Sequence, residues 1–445
     1  MSRLDGRLMY NLEVVGNSLF DASDISMKKT LIRLRVIRIA AFVFAVALIP
    51  ASCALGQSQW LAFRGDGGRG EAMKSKPPTE FDVPAGKNLA WKTATTGRGI
   101  GGPLVIGDLV VVTGCDGEDE RDIHIEGFDA KSGKRLWIRS MRSTGRPYTH
   151  PTSANASPTP ASDGQRIFAL FSSCDLVCVD LQGRLQWFRG LAVDHPKAGN
   201  DISMSSSPVV ADGVVVVQLE NQGDSFAAGL DAETGETLWQ MARDRQSNWA
   251  TPLPITIGDG RPAFVLQDGG NLMIVDARTG KVEHDFAIKC DRTASASYAA
   301  PLIIVPGEET VALRTDSSGV EEVWRSNKLR PQRCSPVIAD GKVYMGRGSV
   351  LIAGNLVDGE IAWQKRLPGV ETVWATPVAT GSGIYVFDAN GKVALVRDDG
   401  DTAEVVSEPV VGESILASPA VVGDALFLRT ERAVIKIADQ STEKS

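Results

Sequence analysis

Eight times between residues 103 and 419 the chain repeats one pattern: a small residue, a proline, then a β-rich run with a turn. Copies include GGPLVIGDLVVV, SSPVVADGVVVV, CSPVIADGKVYM and ASPAVVGDALFL. The prolines are Pro103, Pro158, Pro208, Pro252, Pro301, Pro336, Pro377 and Pro419, spaced 35 to 55 residues apart. The tetrapeptide WATP occurs unchanged at 249–252 and 374–377. A strand unit of this length cannot bury its apolar face alone. Copies stack around a ring, about one four-stranded blade each. The expected fold is all-β, an eight-bladed β-propeller, with seven blades the alternative because the fifth copy is short.

A second landmark follows downstream of the prolines. FDAKSGKRLW (128–137), VDLQGRLQW (179–187), LDAETGETLW (230–239) and VDARTGKVEHDF (275–286) share a design, with degenerate forms at 323–324 and 355–363. A strand ends on an acidic residue, a glycine makes the turn, and the next strand carries tryptophan. The glycine supplies the positive φ that such turns need. The tryptophan is a large apolar anchor for packing between blades. The chain opens with LAWKTAT, an outer-strand sequence with no blade before it, and closes with three strands and no fourth. The N-terminal strand is therefore expected to complete the last blade, leaving only short protected edges.

Residues 27–56 have the layout of a secretory signal peptide: Lys28, Lys29, Arg33, Arg35 and Arg38, then an apolar stretch Ile39–Ile49, then small residues. That stretch is about half a bilayer span. Residues 1–26 read as a mis-assigned extension, 57–88 as an N-terminal arm, 89–440 as the propeller and 441–445 as a tail. The location expected is periplasmic or extracellular. Cys53 would be the only membrane link, as a lipid anchor, although Pro50 stands where a lipoprotein signal has an aliphatic residue. Seven of the 47 basic and four of the 54 acidic side chains fall in 1–56, leaving 40 and 50, a charge of −10. This acidic balance argues against nucleic-acid binding. Five cysteines remain, at 115, 174, 178, 290 and 334, so at least one is unpaired within the chain. A bridge between Cys174 and Cys178 is sterically open, but buried thiols are the expectation.

The docking motif resembles that of the quinoprotein-type propellers, with Asp231, Thr234, Gly235 and Trp239 in register. WLAFRGDGGRGEA (60–72) and the closing ASPAVVGDALFLRTE are similar to secreted PQQ-like repeat proteins of planctomycete type. The resemblance spans about residues 60–440 and includes the outer-membrane assembly propellers. It implies fold more than function, since the same ring hosts dehydrogenases and assembly scaffolds.

The proline copies should start the innermost strand of each blade. Three residues before each proline stand Ile100, Asn155, Ser205, Trp249, Tyr298, Arg333, Trp374 and Leu416. Trp249, Tyr298, Arg333 and Trp374, with Asn155, are the candidate ligand-binding residues, suited to a planar or anionic ligand. The competing expectation is that these side chains plug the channel. Two long linkers, MRSTGRPYTHPTSANA and LAVDHPKAGNDISMSS, are expected on the same face. They carry the candidate interaction residues Arg142, Arg146, Tyr148, His150, His195, Lys197 and Asp201. CDGEDERD (115–122) lacks the spacing of a calcium loop, so no metal site is expected. GRGIGG (97–102) precedes a strand rather than a helix and reads as flexible backbone.

No catalytic constellation is legible. The leading expectation is an exported, non-catalytic scaffold whose partner is a protein or a cell-envelope component, with no cofactor. The alternative is a quinoprotein dehydrogenase using PQQ and calcium. Catalytic members imply a vicinal disulfide beside the quinone and acidic groups near calcium, and the sequence has no Cys-Cys. A third reading is a carbohydrate-binding propeller.

Overall fold

The computed structural model describes residues 59–440 except 148, 200, 201, 259, 317 and 318. The expected extension, signal peptide, Cys53, the tail, Tyr148 and Asp201 lie outside the described residues. The strands form eight sheets, six of four strands and two of five, so the ring has eight blades. The two additional strands are Gln59–Trp60, on the innermost strand of blade 1, and Glu71–Ala72, parallel to that of blade 7.

Blade 1 runs from Leu104–Ile106 at the channel through Leu109–Asp116 and Asp122–Asp129 to Arg135–Arg142 at the rim. Burial follows this radial order. The middle strand Val214–Leu219 of blade 3 is buried on both faces, because a blade lies against each. Its rim strand Thr237–Ala242 alternates exposed and covered residues. The core therefore lies in the seams: one cluster joins Phe168 and Leu176 of blade 2 to Val215 and Val217 of blade 3. Blade 8 closes as the sequence predicts. Its strands Ala420–Val422, Ala425–Arg429 and Ala433–Ile437 take Leu89–Ala94 as the fourth, with Trp91 opposite Lys436.

The cross-strand register aligns eight equivalent rim positions: Trp91, Trp137, Trp187, Trp239, His284, Trp324, Trp363 and Ser407. Five of the six indoles donate Nε1–H to a backbone carbonyl of the following blade, as Trp187 does to Ala232 at 3.1 Å. Trp363 donates instead to the Asp398 carboxylate at 3.1 Å. At the seam between blades 7 and 8 the tryptophan is replaced by Ser407. That seam also lacks a docking turn, because the chain ends meet there. The N-terminal arm fills it: Ser407 donates to the Thr79 carbonyl, and Phe81 is buried in the adjoining core.

All five described cysteines are free and buried, so Cys174 and Cys178 form no bridge. The glycines of GRGIGG are tightly packed rather than flexible: a Cβ on Gly101 would lie 2.4 Å from the Pro158 carbonyl oxygen.

Candidate functional site

The innermost strands begin with a ring of hydroxyl groups that links the blades. Gly102 N–H donates to Thr159 Oγ1 (2.8 Å), Thr159 N–H to Ser207 Oγ (3.0 Å) and Ser207 N–H to Thr251 Oγ1 (3.0 Å). The ladder continues from Thr251 to Ser295, Ser295 to Ser335, Ser335 to Thr376 and Thr376 to Ser418, at 2.9–3.2 Å. Each bond ties one blade to the next. This accounts for the small hydroxyl residue directly before Pro208, Pro252, Pro336, Pro377 and Pro419: a longer side chain would not fit so short a gap. The ring stops at Gly102, which has no hydroxyl to offer.

Two residues before each ring position stand Ile100, Ser157, Ser205, Trp249, Thr293, Arg333, Trp374 and Leu416, and all eight line one central cavity of about 740 Å³. Arg333 places its guanidinium 4.0 Å from the centre of the Trp374 ring. Trp249 Nε1–H donates to the Ser203 carbonyl at 2.8 Å. Both indoles and Arg333 therefore border an open space, and their side chains do not plug the channel.

Two expected members stand elsewhere. Asn155 is buried in a loop core, its amide donating to the Glu120 carbonyl and accepting from Ser173 N–H, both at 2.9 Å. Ser157 takes its place at the cavity. Tyr298 donates to the Thr256 carbonyl at 2.8 Å and packs in the seam between blades 4 and 5, leaving Thr293 at the cavity. The reason is a shifted proline. In blade 2 the ring hydroxyl, Thr159, follows Pro158; in blade 5 it is Ser295, well ahead of Pro301. Counting back from proline misplaces both blades.

The cavity wall is cationic. Arg98 is paired with Glu120 at 2.8 Å and Glu431 at 2.7 Å. Arg429 is buried, donates to Thr95 Oγ1 (2.7 Å) and the Thr113 carbonyl (3.3 Å), and has Nε without a partner. Burial pushes its guanidinium down to about 10, the charged form being costly away from water. Glu431 is the one carboxylate among the described lining residues, beside three arginines.

One end is closed by the N-terminal arm, whose role the sequence reading missed. Leu61 accepts from Ser162 N–H in blade 2 (2.8 Å), Arg69 from Ile338 in blade 6 (3.0 Å), and Gly70 from Ala379 in blade 7 (2.9 Å). Phe63 reaches the cavity between these anchors, and Arg64 donates to Ser297 Oγ (2.6 Å) and the Ala296 carbonyl (2.7 Å) in blade 5. The arm thus crosses the channel. Its signal was the glycine run in FRGDGGRG: Arg64, Gly65, Gly67, Gly68 and Gly70 all have φ between 57° and 69°, a region glycine enters freely.

The other end opens on the face that carries the long linkers. His150, Pro151 and Ile202 line its mouth. The remaining linker candidates are dispersed: Arg142 pairs with Asp122 (2.8 Å) and Arg146 approaches Asp119 (3.9 Å). His195 packs against Phe226 in a tilted arrangement with centroids 4.2 Å apart. The Lys197 backbone N–H donates to Asp224 at 3.1 Å, and its side chain is exposed. In the acidic loop, Glu120 holds Arg98 and the Asn155 N–H (2.7 Å). Among the described residues no group of three His, Cys, Asp or Glu side chains is placed to hold a metal.

Known proteins share this architecture. A BamB of Bordetella pertussis, an outer membrane protein assembly factor, is 26% identical over 79% of this chain and 86% of its own. Its counterpart in Burkholderia pseudomallei is 26% identical over 80% and 88%. The crystal structure of BamB from Moraxella catarrhalis superposes with a TM-score of 0.59 at 15% identity, covering 79% of this chain and 97% of that one. The quinohemoprotein alcohol dehydrogenase of Comamonas testosteroni superposes with a TM-score of 0.62 at 12% identity, covering 86% and 81%; that likeness is one of fold. The family model described as outer membrane protein assembly factor BamB matches residues 81–223, 200–320 and 307–442. Since these matches span the ring from the arm to its last strand, the chain belongs to the BamB family of PQQ-like β-propellers.

Proposed function

We propose that the chain is an exported, non-catalytic scaffold that holds a protein partner on the face bearing its two long linkers. The observation that carries this reading is the position of those linkers: both lie at the one end of the channel the arm leaves open. Elsewhere nine to twelve residues carry the chain from a rim strand to the innermost strand of the next blade, whereas 18 do so in each of these two linkers, the kind of extension that binding faces of repeat folds carry. The relatives' name supports a partner within outer-membrane protein assembly, and hence a periplasmic location reached by export.

A calcium-bound quinone suits the cavity poorly. Its one carboxylate among the described lining residues, Glu431, is already paired with Arg98, and the nearby Glu120 is held by the same arginine and by the Asn155 N–H.

The test is site-specific photo-crosslinking in cells. A photoreactive residue is placed at exposed Val193 or Arg146, and for comparison at Val357, in a turn on the opposite face. Adducts with a discrete envelope protein are expected from Val193 and Arg146 and not from Val357. Adducts from Val357 alone, or from none of the three, would remove the reading.

A further inference from the structure

The ring hydroxyls have a chemical polarity that the fold alone does not require. Each of the seven accepts a backbone N–H from the preceding blade, which engages its oxygen as an acceptor. Among the described residues none of their own O–H protons meets an acceptor. Thr159, Ser207, Thr251, Ser295, Ser335 and Thr376 are all at least nine-tenths buried and line the cavity. These hydroxyls form a covered polar layer in the cavity wall, behind the side chains that border the open space.

The chain as a whole is acidic, with a formal charge of −7, yet the cavity wall has three arginines against one glutamate. Arg98 is neutralised by its two glutamates, whereas Arg333 meets no carboxylate among the described residues. Its contact is the Trp374 face, which fixes the plane of the guanidinium and leaves its N–H edges free for a carboxylate. Trp249 and Trp374, the latter 40% exposed, add apolar faces at the mouth. Because the arm seals the other end, an occupant enters from the long-linker face alone.

We propose that this cavity receives an acidic, aromatic-containing loop of the partner protein, a carboxylate meeting Arg333 and the aromatic side chain meeting the faces of Trp249 and Trp374. The proposal rests on the scaffold reading and names the chemistry of the partner. Insertion of a projecting loop into a blind cavity gives register as well as affinity, since a buried anion tolerates little displacement.

The test uses the purified protein and a blocked peptide with the core Glu-Phe-Glu-Asp-Glu. Its amide counterpart Gln-Phe-Gln-Asn-Gln and benzene-1,3,5-tricarboxylate are the controls. Binding is followed by calorimetry and tryptophan fluorescence at about 50 and 300 mM salt, a range that screens exposed charge. The acidic peptide is expected to bind at least about tenfold more tightly than the amide peptide, and to weaken with salt. Arg333→Gln and Trp374→Leu should each lower its affinity about tenfold or more, while Val357→Ser leaves it unchanged. Arg333 and Trp374 are exposed enough for these variants to fold, as circular dichroism would verify. Equal binding of the two peptides overturns the proposal, and so does binding of the tricarboxylate alone, which would mark a small-molecule pocket. If neither peptide binds while Val193 crosslinks persist, the cavity assignment falls and the scaffold reading stands.

Discussion

Trp239 packs against Gly280 of the next blade so closely that a Cβ on Gly280 would lie 2.5 Å from the indole, while its Nε1–H reaches the Ala277 carbonyl at 2.9 Å. Gly280 also has φ +65°. Two costs coincide at one atom: a left-handed backbone and an indole with no room to retreat. Gly280→Ala should destabilise the ring by about 2–3 kcal/mol, read as a lower denaturant midpoint.

The seam between blades 7 and 8 depends on the arm instead. Phe81 is 2% exposed in the core that also contains Val393 and Val411, and the neighbouring Ser407 is bonded to Thr79. Phe81→Ala should cost about 3–5 kcal/mol. Hydrogen exchange should show protection lost around residues 403–411 before the seam between blades 3 and 4 is affected. Uniform loss around the ring would contradict a local role for the arm.

Asp398 links blade 7 to blade 6 through Lys342 (2.8 Å), Tyr344 (2.8 Å) and Trp363 (3.1 Å). Burial pushes its carboxyl up, but these bonds and the Gly400 N–H outweigh it and leave it below the usual carboxylate range. A carboxylate held low contributes stability above its unfolded pKa near 4, lost as pH falls through the folded value. Asp398→Asn should therefore cost about 1 kcal/mol at neutral pH, allowing for water at its edge, and nearly nothing well below pH 4. Denaturation of the two proteins across that range checks the sign. A difference constant with pH would show that shape rather than charge is at work.

Burial pushes the thiols of Cys115, Cys174, Cys178 and Cys290 up to about 12, and that of Cys334 to about 11. A thiol kept neutral and covered is a poor nucleophile. With residues 1–56 removed, the folded protein should give no reaction with Ellman's reagent near pH 8, and the unfolded protein five equivalents. Three equivalents on unfolding would reveal a bridge.

Blade number, closure and the docking tryptophans were legible in the sequence because each is local: a proline, a glycine turn or an indole at fixed spacing reports one strand and its neighbour. Trp249, Arg333 and Trp374 were placed for the same reason, since in their blades the ring hydroxyl directly precedes proline. Asn155 and Tyr298 were misplaced where that coupling fails. The ring position is fixed by a hydrogen bond to the next blade, and proline only accompanies it. His284 stands at the tryptophan position of the 275–286 copy, whereas Ser407, which has no docking motif before it, could not be recognised as a member of the series until register aligned it. The arm shows the limit most clearly. Its glycines announced an unusual backbone, but only the closed ring determines which blades it touches and which end of the channel it seals. The sequence by itself determined a repeating strand unit that must close into a ring, since every copy needs neighbours to cover its two apolar faces. Tertiary structure alone decided where charge, hydroxyl groups and open space converge, because the ring bonds join residues 40 to 57 positions apart and the arm's Arg64 meets a residue 233 positions away.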